Sequence, residues 1–150
     1  MIQLAIGADH RGYLIKDALK RDRKVGHHHM TWHDMGTFSP ERVDYPIFTL
    51  PVVEAILDKE VKGGVLICGS GVGMSIAANR FPGIYAALCW SPEVARAAKE
   101  DDNANIIVIP ADFVTEAQAH AIIDAWLSYE FKEHEYKERL ELLEKLAQRK

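Results

Sequence analysis

The chain has 150 residues, 48% of them hydrophobic and 27% charged. That is enough apolar mass for a buried core, which excludes a largely disordered chain. With 18 Lys and Arg against 22 Asp and Glu the formal charge is −4, so the basic face that sequence-independent nucleic-acid binding needs is missing. Ile2–Gly7 is a short apolar run that stops at Ala8-Asp9-His10 and predicts a strand. Arg11–Lys24 carries Leu14, Ile15, Ala18 and Leu19 on one side and predicts a helix. Met30–Asp34 predicts a second strand, polar enough to lie near a sheet edge, and Gly36–Asp44 a loop. Tyr45–Glu60 is helical at least from Val52, with Pro46 and Pro51 making its start irregular. Val65–Cys68 is a continuous apolar run, as expected of a strand covered on both faces. After the glycines of 69–73 come a helix over Met74–Asn79, a strand over Ile84–Leu88 and a helix over Ser91–Glu100. A fifth strand over Ile106–Ile109 and a helix over Thr115–Tyr129 follow. Lys132–Gln148 predicts a charged terminal helix with Tyr136, Leu140, Leu143 and Ala147 on one face, free to dock on this chain or on a partner.

Strands alternating with helices predict an α/β fold. The expectation is one domain over 1–150, a three-layer α/β/α sandwich with a five-stranded parallel Rossmann-like sheet and a C-terminal helix. No apolar run approaches the ~20 residues that cross a bilayer. Met1–His10 has neither the basic start nor the cleavage site of a secretion signal. Cys68 and Cys89 make no disulfide framework. Together these predict a cytoplasmic protein with reduced thiols and no membrane or nucleic-acid partner.

In open α/β sheets ligands bind beyond the carboxyl ends of the strands. Three segments are candidates: Ala8–Arg11, Cys68–Gly73 and Lys99–Asn105. Glycines at 69, 71 and 73 leave backbone N–H groups free to converge on an anion, and a cysteine at such a nest is expected to have a lowered pKa. The alternative is a tight strand-to-helix turn with a structural cysteine. The spacing is not Gly-x-Gly-x-x-Gly, so a nucleotide carrier is disfavoured.

Gly63–Asn79, centred on Cys68-Gly69-Ser70-Gly71-Val72-Gly73, resembles the signature of the ribose-5-phosphate isomerase B and galactose-6-phosphate isomerase family. Gly7–Tyr13, Gly36-Thr37, Asp44-Tyr45-Pro46 and Asp124–Leu127 resemble other motifs of that family, so the likeness spans nearly the whole chain. It implies a metal-free, cofactor-free aldose–ketose isomerase working through an enediolate, on a small sugar or sugar phosphate, as a homodimer or dimer of dimers. It implies Cys68 as the base, Ser70 as a proton relay, Asp9 and His10 as ring-opening and hydroxyl-holding groups, and Tyr45 lining the site. The N–H groups of Gly69, Gly71, Val72 and Gly73 would hold the enediolate.

Three positions depart from the family pattern. Asp101, followed by Asp102 and Asn103, stands where the ring-opening His is expected; Asp112 and Glu135 stand where two phosphate-binding Arg are expected, and only Arg139 matches. Carboxylates oppose a phosphate, so either another cation such as Lys132, His134 or Lys137 compensates, or the specificity is altered toward a free sugar or an unusual sugar phosphate. A galactose-6-phosphate isomerase subunit that needs a partner chain, and a non-catalytic sugar-binding or regulatory protein, are the alternatives. His27, His28, His29 and His33 are read as a surface loop rather than a metal site, Cys89 as a buried apolar residue, and Trp32 and Trp126 as packing residues.

Overall fold

The computed structural model describes residues 1–148. Five strands run parallel: β1 (Ile2–Ala8), β3 (His28–Asp34), β4 (Gly63–Cys68), β5 (Ala86–Leu88) and β6 (Ile106–Pro110). A sixth, β2 (Lys24–Val25), pairs antiparallel with the start of β3, and the order across the sheet is β2-β3-β1-β4-β6-β5. Every residue of β4 and β6 is buried, which is why their sequences are apolar without alternation.

The helices are α1 (Tyr13–Arg21), α2 (Tyr45–Leu57), α3 (Val72–Ala78), α4 (Pro92–Asp102), α5 (Glu116–Ser128) and α6 (Glu135–Ala147). Alternate strand residues point to opposite layers. Leu4, Ile6, Val65, Ile67, Ile107 and Ile109 meet Leu19 of α1, Ala95 of α4 and Ile122, Ile123 and Trp126 of α5. Leu66, Cys68, Ile106 and Val108 meet Val52 and Val53 of α2 and Met74 and Ala78 of α3. Each fully buried Ile or Leu in these layers contributes about 1.5–3 kcal/mol.

Several boundaries move, each for a local reason. The first helix ends at Arg21, not Lys24, because Val25 leaves it to pair with His28. The two strands are joined through Gly26, whose φ of +58° suits glycine. His28 and His29 therefore belong to a strand rather than to a surface loop. The second helix already runs from Tyr45, with Pro46 in its first turn, where its missing N–H has no partner to lose, and Pro51 further inside it. Ser91 and Thr115 are caps just outside the helices they start; Thr115 forms a reciprocal capping box with Gln118. The terminal helix begins only at Glu135, after Glu133 and His134 at positive φ. It buries no residue, and Leu142, Leu143 and Leu146 face outward. Among the described residues no helix is long and apolar enough to cross a membrane.

After β1 the chain turns to one side to make β3, then crosses to the other side to make β4. The carboxyl ends of β1 and β4 thus lie side by side with their connections diverging, which is where such sheets form a crevice.

Candidate active site

The turn after β1 is built by Asp9. Its Oδ1 accepts hydrogen bonds from the N–H groups of Arg11 (2.9 Å) and Gly12 (3.1 Å), so the buried carboxylate is folded onto its own turn. His10 Nδ1 accepts from the Val43 N–H at 3.3 Å. The loop after β3 is fastened to β1 twice, Thr37 N–H to Ala8 O and Ala8 N–H to Gly36 O, both 2.8 Å. Behind it Asp34 accepts from the Gly36 N–H (2.9 Å) and from Lys16 Nζ (2.6 Å), and its other oxygen meets Lys20. Burial pushes the Asp34 carboxyl up, but these donors outweigh it and hold it below the usual range. Lys16, 1% exposed, is fully enclosed on α1.

Cys68 ends β4 facing the α2/α3 layer and is 4% exposed. The backbone N–H groups of Met74 and Gly71 favour its thiolate. The expected lowering of its pKa does not occur in the isolated chain. Burial pushes the thiol up and the Asp9 charge adds to this, while the two N–H groups and Arg11 offset only part of it. Part of the glycine-rich loop thus serves the thiol itself. Gly71 takes φ +78°, a conformation that favours glycine, and the Tyr45 ring lies on Gly73, where a Cβ would come within 2.8 Å of it. Ser70 Oγ accepts from the Val72 N–H at 3.2 Å, leaving its proton available.

Asp112 follows β6 and is fixed beside this loop: the Ala111 N–H donates to Cys68 O (2.9 Å) and the Asp112 N–H to Gly69 O (3.0 Å). Its carboxylate is paired, though by none of Lys132, His134 and Lys137. It forms an ion pair with Arg11, whose guanidinium lies over Gly69. Arg11 lies in the candidate segment Ala8–Arg11, but the sequence alone assigns it no role. The signal that finds it is strand order, since β1 and β6 flank β4 and bring opposite charges across its end.

The remaining expected residues lie elsewhere in the chain. Lys99–Asn105 does not belong with the carboxyl-end loops, because a segment that precedes a parallel strand lies at that strand's amino end. Ile106 pairs with Gly64 and Pro110 with Cys68, so Asp101, Asp102 and Asn103 sit at the opposite end of the sheet from the thiol. Lys132 pairs there with Asp101 (3.1 Å) and Glu100 (3.2 Å). Burial and the neighbouring Asp101 push the Asp102 carboxyl up, with Arg139 pulling it down. Arg139 stacks on Tyr136 at 4.9 Å, and Glu135 opens α6. One chain therefore brings together Asp9, His10, Tyr45, Cys68, Gly69, Ser70, Gly71, Val72, Gly73 and Asp112, but not Asp101, Asp102, Asn103, Glu135 or Arg139. Cys89 is fully buried, Trp126 is buried with its indole N–H on Ala104 O (2.9 Å), and His33 Nε2 meets Gln3 at 2.9 Å.

A family model described as Ribose/Galactose Isomerase matches residues 4–143. The chain is 36% identical over 153 residues to ribose-5-phosphate isomerase B of Escherichia coli (strain K12), covering all of this chain and 99% of that one. A crystal structure of a ribose 5-phosphate isomerase from Thermotoga maritima superimposes with a TM-score of 0.89 at 40% identity, covering 93% of this chain and 95% of that one. The structure of ribose-5-phosphate isomerase B from Mycoplasma genitalium with bound ribulose-5-phosphate gives 0.87 at 28% identity, covering 99% of this chain and 98% of that one.

Proposed function

The chain belongs to the ribose/galactose isomerase family, and on that premise we propose that it interconverts an aldose and a ketose of the sugar phosphate class through an enediolate. The observation that carries this is Cys68 at the carboxyl end of β4, beside that of β1, with the N–H groups of Met74 and Gly71 and the charges of Asp9 and Arg11 all acting on its thiol. In the proposed cycle the Cys68 thiolate takes the proton from the carbon beside the carbonyl. The C–H electron pair forms the C=C bond of the enediolate as the carbonyl π pair moves onto its oxygen, and the Cys68 thiol, whose proton exchanges with solvent while the intermediate lasts, returns a proton to the neighbouring carbon. Ser70 passes a proton between the two oxygens. N–H groups of the Gly69–Gly73 loop stabilise the developing negative charge. Asp9 and His10 hold hydroxyls and assist ring opening, and Tyr45 walls the sugar. All of these groups belong to the protein.

The working unit is a homodimer in which a second copy supplies Asp101, Asp102, Asn103, Glu135 and Arg139. In support, these residues lie at the far end of the sheet within one chain, and α6 leaves its leucines uncovered. In such a site Asp101 accepts the ring-hydroxyl proton.

Cys68→Ala tests the assignment. It is expected to abolish exchange of the substrate C2 proton with deuterated solvent while leaving the circular-dichroism spectrum and the melting temperature close to wild type. Undiminished exchange in that variant would falsify the base. The raised Cys68 thiol favours a second reading, a sugar-binding protein without turnover. Wild-type protein stabilised by a sugar phosphate but exchanging no C2 proton would select it.

A further inference from the structure

Arg11 and Asp112 come from loops that follow β1 and β6, strands that are not neighbours. The two side chains meet across the end of β4, with the guanidinium lying on Gly69, directly after Cys68. A Cβ at position 69 would run into that guanidinium, so glycine there is what lets the arm lie on the loop. Both roots are fixed. The Arg11 N–H is held by Asp9 Oδ1 at 2.9 Å, and the Asp112 N–H by Gly69 O at 3.0 Å. Arg11 also reaches the thiol electrostatically, since its charge pulls the Cys68 pKa down.

The side chains of Arg11 and Asp112 are 52% and 41% exposed, and a pair this open to water adds little to folding. Its position over the reactive loop points to recognition instead. Arg11 has five N–H donors in a planar fork, and Asp112 engages only part of it. An uncharged CH2OH group can accept from a remaining donor and donate to the carboxylate, so the pair serves both halves of a hydroxyl. A phosphate dianion is drawn to Arg11 but competes with Asp112 for it and is repelled by that carboxylate.

We infer that the Arg11–Asp112 pair reads the end of the sugar remote from the carbonyl, Arg11 as the contact and Asp112 as the charge that tempers the preference for a phosphate ester over the free sugar. This rests on the isomerase reading given above. The pair turns a fixed cation into an adjustable one, and the removal of either charge moves the preference in opposite directions.

The test is kcat/KM for D-ribose 5-phosphate and for D-ribose, followed by C2 proton exchange, in wild type, Asp112→Asn, Arg11→Gln and Arg11→Lys. Asp112→Asn is expected to raise the ratio of phosphorylated to free sugar by about tenfold or more, chiefly through KM for the ester. Arg11→Gln is expected to lower it by about tenfold, with Arg11→Lys in between. A ratio that stays within about twofold of wild type in both Asp112→Asn and Arg11→Gln overturns the inference, as does a fall in Asp112→Asn. If the wild type exchanges no proton from either sugar, the isomerase reading fails and the pair is judged by inorganic phosphate alone. Thermal stabilisation by phosphate that grows in Asp112→Asn and vanishes in Arg11→Gln then supports the pair as an anion reader. Equal stabilisation of all three proteins overturns it.

Discussion

The role proposed for Cys68 sets two opposed demands. A base must lose its proton readily, yet burial and the Asp9 charge hold this thiol above its ordinary value of 9.0 despite two N–H donors and Arg11. In the free protein its alkylation by iodoacetamide should therefore accelerate with pH and not level off by the ordinary thiol value. A plateau near neutrality would show an activated thiol instead. The fold feels the same shift. A thiol whose folded pKa lies above its unfolded one contributes stability that is complete below the unfolded value and is lost as pH climbs through the folded one. Cys89, pushed by burial to about 12, adds to this trend, so the melting temperature should fall through the alkaline range.

At the scale of elements, the loop after β3 depends on Lys16 of α1. Its ammonium sits 2.6 Å from Asp34, the residue that holds the Gly36 N–H, and Gly36 and Thr37 in turn clasp Ala8 next to Asp9. Lys16→Met leaves Asp34 with Lys20 as its remaining ammonium partner and should cost on the order of 3 kcal/mol, measured by urea unfolding. Elements of this kind were unevenly legible in the sequence. β4 and β6 are wholly buried, so their apolar runs bounded by glycine or polar residues could be read directly. β2 could not, because two residues inside a lysine- and arginine-rich stretch carry no periodicity. Asp9, His10, Tyr45 and Cys68 were legible because each sits at the end of an element named by its own motif. The Arg11–Asp112 pair was not, since 101 residues separate its members and only the order β1-β4-β6 joins them. The same ordering removes Asp101, Asp102 and Asn103 from the thiol's end of the sheet.

For the whole molecule, the proposed site, with residues at the two ends of one sheet, asks for two chains. If the proposed homodimer is right, two inactive variants, Cys68→Ala and Asp101→Asn, should rescue each other when co-expressed. Random pairing makes half the dimers mixed, and each mixed dimer carries one site free of both lesions, so activity should return to about a quarter of wild type. No recovery, with mixed dimers demonstrated by mass, would place the whole site within one chain. The small hairpin at the other margin of the molecule has a different consequence. β2 pairs with His28 and His29 and so covers the start of the outer rim of the seven-residue strand β3, where the backbone would otherwise be free to recruit strands from other molecules. At the opposite rim β5 is only three residues long, too short to template much. With one rim partly covered and the other short, little bare strand is left for edge-to-edge stacking, and the outward leucines of α6 remain for the proposed mate.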